Sequence, residues 1–151
     1  MTNDTLYIGS DHRGFKLKES IKQWLDHQKI AYEDQGDFVL NPQDDYPDYA
    51  EKVARAVVKH KSMGILVCGS AQGVCIAANK IKGVRAVIPV NIKEARLART
   101  DDDANIICLS GWFTSFHQAT KLLERFLSTP FSNEARHIRR LNKIRKLEGR
   151  R

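Results

Sequence analysis

The stretch of residues 64–80, GILVCGSAQGVCIAANK, limits the possible folds of this 151-residue chain more than any other. Its apolar run at 65–67 is typical of a strand that is buried on both faces. A small, polar turn with two glycines follows at 68–73, and residues 74–80 are predicted to form a helix. The first N–H groups of such a helix have no partners and carry partial positive charge, so the turn can receive an oxyanion or a phosphate.

Cys68 closes the predicted strand and faces the same turn. A thiol beside a helix N-terminus loses its proton more easily than a free thiol, so Cys68 is a candidate base or nucleophile. The alternative is a buried cysteine in an ordinary strand–helix turn, because the stretch matches no single named motif. The local sequence leaves both interpretations open.

Strands and helices alternate along the whole chain. Apolar runs predict five strands, and helical spacing of apolar residues predicts a helix after each of them. The strands are predicted at 5–9, 30–34, 65–67, 84–88 and 105–109, and the helices at 15–28, 48–60, 74–80, 91–99 and 114–127. This order predicts an α/β fold, a three-layer α/β/α sandwich with a five-stranded parallel sheet, formed by residues 1–151 as one domain.

In parallel sheets of this kind the ligand binds beyond the carboxyl ends of the strands. Three polar turns are predicted to meet there, at 10–14, 68–73 and 100–103. The chain has no G-x-G-x-x-G turn and no Walker A lysine, which argues against a dinucleotide or a nucleoside triphosphate as the ligand.

A sixth helix, predicted over 133–147, has no strand after it and combines an apolar stripe with a basic face. Eight lysines and arginines and one glutamate in residues 136–151 account for the whole formal net charge of +7. Because the rest of the chain is neutral, the charge does not predict nucleic-acid binding. We instead expect the segment 133–149 to pack on a partner subunit, with its cations near an anion site.

Composition and cysteine usage exclude several classes of protein. No run is long and apolar enough for a membrane span, and the first residues lack the pattern of a signal peptide. The three cysteines are odd in number and fit no metal-binding spacing, as expected for reduced thiols in the cytoplasm. The sequence therefore predicts a cytoplasmic protein with no metal site and no membrane partner.

Five stretches, spread over nearly the whole chain, carry a resemblance to a known family. They are GSDHRGFKLK at 9–18, DYPDYA at 45–50, GILVCGS at 64–70, GVCIAANKIKGVRA at 73–86 and the Arg-His-x-x-Arg pattern at 136–140. In them the chain resembles the type B ribose-5-phosphate isomerases, within the group that includes galactose- and allose-6-phosphate isomerases. The resemblance implies a Rossmann-like fold, a homodimer with sites shared between subunits (with a tetramer as the alternative), and no metal or organic cofactor.

The resemblance also implies a reaction and its catalytic residues. Family members interconvert an aldose phosphate and a ketose phosphate through a cis-enediolate. Cys68 stands where one branch of the family has its catalytic cysteine, and Val74 stands where another branch has a glutamate, so the chain resembles the cysteine branch. Ser70 matches a hydroxyl that helps to move protons on the sugar oxygens.

The family's binding residues map onto three regions of the chain. The N–H groups of the turn after Cys68 would receive the enediolate charge, and the turn before the first helix would line the sugar and the phosphate. A further phosphate cluster would come from the other subunit. In this sequence these groups are Gly69, Ala71, Gln72 and Gly73; Asp11 and His12; and Arg136, His137 and Arg140.

The chain departs from the family pattern in three places. Asp101 and Asp102 stand where the family has a histidine that opens the furanose ring and an asparagine that stabilises the intermediate. Trp112 replaces an arginine near the phosphate, and Ala71 replaces a glycine. We expect ribose 5-phosphate as the substrate, with Asp101 as a limit on ring opening. The alternatives are a six-carbon sugar phosphate, such as allose or galactose 6-phosphate, and a weakly active relative that binds sugar phosphates.

Overall fold

The computed structural model describes residues 4–149. Its strands are β1 (Leu6–Ser10), β2 (Tyr32–Asp34), β3 (Gly64–Cys68), β4 (Ala86–Val87) and β5 (Ile106–Ser110). Its helices are α1 (Phe15–His27), α2 (Tyr46–His60), α3 (Gln72–Ala78), α4 (Ile92–Asp102), α5 (Phe116–Ser128) and α6 (Ala135–Glu148). The strands are all parallel and lie in the order β2-β1-β3-β5-β4, which confirms the predicted five-stranded parallel sheet.

Helices cover both faces of this sheet. On one face, α1, α4 and α5 bury side chains such as Ile21, Ala95 and Leu123. On the other face, α2 and α3 bury Val53 and Val74. The predicted three-layer sandwich is therefore confirmed, with β3 at its centre and buried along its whole length. Within residues 4–149, no helix has both the length and the apolar character that a membrane crossing requires.

The last helix, α6, lies outside these three layers. Of its apolar stripe, Leu141 is buried, whereas Ile138, Ile144 and Leu147 are 41%, 39% and 58% exposed. The chain itself thus covers only part of the stripe.

Strand β4 is shorter than predicted, at two residues. The side-chain amide of Asn79 accepts from the Ala86 N–H at 2.8 Å and donates to the Ala86 carbonyl at 2.9 Å. Asn79 thereby occupies the free hydrogen-bonding edge of the strand, as expected at the border of a sheet.

One of the three predicted polar turns was placed at the wrong edge of the sheet. Residues 100–102 form the last turn of α4, and Asp103 ends that helix in a left-handed conformation with φ of 45°. Arg99 and Arg85 hold the Asp103 carboxylate at 2.8 and 3.0 Å. This segment precedes β5, so it lies at the amino end of the sheet, opposite the turns at 10–14 and 68–73.

The turn after β5 lies at the same edge of the sheet as the turns at 10–14 and 68–73. Strands β1, β3 and β5 are neighbours, so their carboxyl ends lie side by side. Two glycines let the turns touch through their backbones: a Cβ at Gly14 would overlap the Val67 carbonyl, and a Cβ at Gly111 would overlap the Arg13 carbonyl. The three turns therefore form one rigid platform.

We expect Gly14→Ala to lower the free energy of unfolding by about 3 kcal/mol, because the added methyl meets a backbone carbonyl that cannot move aside. Urea denaturation measures the change. Gly149→Ala is the matched control, since its Cβ would meet no atom closer than 3.6 Å, and it should stay within about 0.5 kcal/mol of wild type. Equal stabilities of the two variants would contradict the platform.

Candidate active site

Cys68 ends β3 at the platform and is only 4% exposed. Burial raises the pKa of its thiol, and the nearby Asp11 charge raises it further. The backbone N–H groups of Val74, Ala71 and Ser70 act in the opposite direction, but they do not outweigh burial. The prediction that this thiol loses its proton more easily than a free one was therefore wrong: the loss of hydration costs the thiolate more than the N–H groups return.

The loop after Cys68 has a tight, fixed backbone. Ala71 is fully buried and adopts the left-handed conformation, with φ of 70°, at the position where the family has glycine. An L-residue in this conformation costs about 1 kcal/mol or more, so the loop keeps the glycine-like shape under strain. The Gln72 N–H donates to Ser70 Oγ at 3.3 Å, and a Cβ at Gly73 would come within 2.6 Å of the Tyr46 ring.

The turn after β1 places Asp11 and His12 beside this loop. Asp11 is 5% exposed, and its Oδ1 accepts from the N–H groups of Arg13 and Gly14, each at 3.0 Å. Burial raises the pKa of Asp11, and the charge of Asp44 adds to that rise. The predicted binding residues Asp11 and His12 thus lie at the same edge of the sheet as Cys68.

Asp44 is a residue of this site that the sequence interpretation missed. Its side chain is 2% exposed, and its Oδ1 lies 2.6 Å from His12 Nδ1 and accepts from the His12 N–H at 3.2 Å. Because a carboxylate only accepts, this contact assigns the proton to Nδ1 and leaves Nε2 for a ligand. Nothing in the Asp-rich loop distinguishes Asp44 from the exposed Asp45 beside it, so only the fold could reveal the contact.

The ligand atoms of Asp11, His12 and Asp44 lie within 4.8 Å of one another, close enough to surround a metal ion. The direct bond between His12 and Asp44 already joins two of the three. This bond orients the imidazole of His12.

The other predicted site residues lie at the amino end of the sheet. His137 is 3% exposed, its Nδ1 is 2.6 Å from Ser132 Oγ, and its Nε2 is 3.9 Å from Asp101 Oδ1. Arg136 and Arg140 are exposed on the same helix. Asp102 is exposed next to Asp101, at the end of α4.

One chain therefore holds two separate groups of site residues. We call the first the thiol edge; it consists of Asp11, His12, Asp44 and residues 68–73. We call the second the basic edge; it consists of Asp101, Asp102, Arg136, His137 and Arg140. A five-residue strand is roughly 13 Å long, so the length of β3 and β5 separates the two edges and keeps their side chains apart.

Comparison with known proteins gives the family. A model of the family described as Ribose/Galactose Isomerase matches residues 6–144. The chain belongs to this family.

Relatives within the family match over almost their full length. The chain is 44% identical over 143 residues to a probable ribose-5-phosphate isomerase B of Mycoplasma pneumoniae, covering 94% of this chain and 93% of that protein. A crystal structure of ribose-5-phosphate isomerase B from Mycoplasma genitalium with bound ribulose-5-phosphate has a TM-score of 0.91 and 41% identity, and 96% of each chain is covered. The Clostridium thermocellum enzyme of the same name has a TM-score of 0.93 and 36% identity over 97% and 99% of the two chains.

The buried environment of Cys68 predicts how its alkylation by iodoacetamide depends on pH. Because its pKa is raised, its thiolate is scarce at neutral pH, and its labelling should continue to increase with pH above the range in which a free thiol ionises. Cys75 is the internal control, because a hydrogen bond with the Cys108 thiol lowers the pKa of Cys75.

Peptide mass spectrometry measures the alkylation rates of Cys68 and Cys75 separately. Each rate is normalised to its own maximum, so that the different exposure of the two thiols to iodoacetamide does not affect the comparison. The half-maximal rate of Cys68 should fall at higher pH than that of Cys75. The reverse order would contradict the described environment.

Proposed function

We propose that this chain is a cytoplasmic enzyme that interconverts ribose 5-phosphate and ribulose 5-phosphate, as a homodimer whose sites combine two chains. Family membership and the ribulose-5-phosphate bound to the Mycoplasma genitalium relative support the substrate. The observation that carries the arrangement is the separation of the two edges: the candidate base lies at one, and the candidate phosphate ligands lie at the other.

Cys68 is the base in this proposal. Its thiolate takes the proton from C2 of the open-chain aldose, C1 and C2 become doubly bonded, and O1 receives the negative charge. Ser70 relays the O2 proton to O1, and the Cys68 thiol then protonates C1, which leaves a ketone at C2. The N–H groups of residues 69–73 stabilise the charge on the enediolate oxygens.

The raised pKa of Cys68 suits this task. A proton on the carbon beside a carbonyl is weakly acidic, so a base of high pKa is a closer match to it than a readily ionised thiol. The thiolate is the minor form before reaction, but it is the stronger base once formed.

The basic edge of the partner would complete each site. Arg136 and Arg140 lie one helical turn apart, and guanidinium groups bind phosphate oxygens through paired N–H donors. A two-fold dimer brings the thiol edge of each chain to the basic edge of the other, and produces two equivalent sites. The exposed stripe of Ile138, Ile144 and Leu147 gives α6 an apolar surface for this contact. A tetramer built from two such dimers is compatible with the same sites.

A six-carbon sugar phosphate is the second candidate substrate, and a weakly active, sugar-phosphate-binding protein is the third. Asp101 favours them, because an exposed carboxylate stands where the family has its ring-opening histidine. Assays of ribose 5-phosphate, allose 6-phosphate and galactose 6-phosphate in parallel separate these candidates. We expect the highest kcat/KM on ribose 5-phosphate.

Cys68→Ser should lower kcat on ribose 5-phosphate by roughly a hundredfold or more, since serine retains the size but supplies no anion near neutral pH. Cys75→Ser is the matched control: this thiol lies on α3 and donates to the Ala86 carbonyl at 3.3 Å, and its loss should leave kcat unchanged. A Cys68→Ser enzyme with near-normal kcat would refute the assignment.

Asp101→His should raise kcat on ribose 5-phosphate by around tenfold, the range that an acid–base group supplies. The control is exchange of a C1 proton of ribulose 5-phosphate with solvent deuterium. Ribulose 5-phosphate cannot form a furanose, because its O5 carries the phosphate, so this exchange needs no ring step and should keep its rate. Equal gains in isomerisation and in exchange, or no gain in either, would show that Asp101 does not limit ring opening.

A further inference from the structure

The arginine that the family places after the fifth strand is replaced by Trp112 in this chain. The indole lies against the first residue of the loop at 69–73, because a Cβ added at Gly69 would come within 2.7 Å of the ring. The backbone N–H of Trp112 also donates to the Gly69 carbonyl at 3.1 Å. Trp112 therefore forms a wall of the thiol edge but brings no charge to it.

Arg13 lies across that indole. Its guanidinium carbon is 4.9 Å from the centre of the Trp112 ring, a distance at which the ring face attracts a cation. The backbone of Arg13 is fixed as well: its N–H donates to Asp11 at 3.0 Å, and its carbonyl packs against Gly111. The turns after β1 and β5 together hold the guanidinium in place.

This stacked guanidinium keeps its capacity for hydrogen bonding. Stacking uses the flat face of the group, whereas its five N–H donors lie in the plane and point outward. Within residues 4–149, the Arg13 guanidinium stacks on Trp112 and forms no hydrogen bond or ion pair with another residue. It is an exposed cation with free donors, next to His12 in sequence.

The charge balance of the thiol edge shows what such a cation can do. Asp11 and Asp44 are both buried there, and the neighbouring Lys18 is already paired with Asp34 at 2.9 Å. A phosphate monoester adds about two negative charges to this edge. Within one chain the loop N–H groups alone oppose these charges unless Arg13 takes part, and the partner's Arg136 and Arg140 are the cations that the proposed dimer adds.

We propose that Arg13 donates to the phosphate of the substrate and so replaces the guanidinium that position 112 lacks. Trp112 supports Arg13: the indole ring holds the guanidinium beside the loop and leaves its N–H donors free for phosphate oxygens. The positive charge that the family has in the turn after β5 is thus supplied here by the turn after β1. These two turns are in direct contact. This inference rests on the proposed sugar-phosphate isomerase function.

Arg13→Ala should raise KM for ribose 5-phosphate roughly tenfold to a hundredfold, with a smaller change in kcat, because a phosphate contact is made equally in the ground state and the transition state. The inhibition constant of inorganic phosphate should rise by a similar factor. Lys16→Ala is the matched control: it removes the same charge from an exposed residue in the first turn of α1, and should leave both constants within twofold.

A second-site exchange tests the replacement itself. Arg13→Ala combined with Trp112→Arg returns a guanidinium to the family's position, and should recover most of the lost affinity for both ribose 5-phosphate and inorganic phosphate. Arg13→Lys should recover only part, because an ammonium neither stacks as well nor presents a paired set of donors.

Three results would overturn the proposal. The first is an Arg13→Ala enzyme whose KM and phosphate inhibition constant equal those of Lys16→Ala. The second is an Arg13→Ala enzyme with a higher KM but unchanged inhibition by phosphate, which would indicate that Arg13 contacts the sugar. The third is a double variant no better than Arg13→Ala. Phosphate binding is also measured by calorimetry without any substrate. An inactive wild type that loses phosphate affinity on Arg13→Ala would refute the isomerase function and leave the phosphate contact standing.

Discussion

The contact between the turns after β1, β3 and β5 is the constraint on which the rest of the site depends. Gly14 and Gly111 have no side chains, so the backbones at Val67 and Arg13 can come against them directly. This contact brings the Asp11 carboxyl within electrostatic range of the Cys68 thiol. It also lays Arg13 on Trp112. Backbone packing therefore positions Cys68, Asp11 and Arg13, and the Asp44 carboxylate orients the His12 imidazole.

Burial gives the thiol edge its chemistry. Removal from water raises the pKa of both Cys68 and Asp11, and the proximity of carboxylates adds to this rise. An edge with these groups is suited to hold a strong base, but it is poorly suited to hold a phosphate without cations. The cations Arg136 and Arg140 lie at the other end of the sheet, and this division of charge within one chain favours assembly of the site from two.

Much of the fold could be predicted from the sequence, because alternating apolar runs and helical spacing determine a parallel sheet with helices on both faces. The position of residues 100–103 could have been predicted too: a segment that precedes a strand lies at its amino end. The raised pKa of Cys68 could not, since it depends on how deeply the turn is buried. The contacts of Asp44 with His12 and of Arg13 with Trp112 join segments whose approach only the tertiary structure shows.

The most direct test of the shared site is complementation between two inactive variants. Cys68→Ser and Arg136→Ala homodimers are unfolded together and refolded, so that about half of the dimers are mixed. In a mixed dimer one site carries both substitutions and the other site carries neither. We predict recovery of about a quarter of wild-type activity, as half of the sites in half of the dimers are intact. A mixture shown to contain heterodimers, yet no more active than its parents, would contradict a site built from two chains.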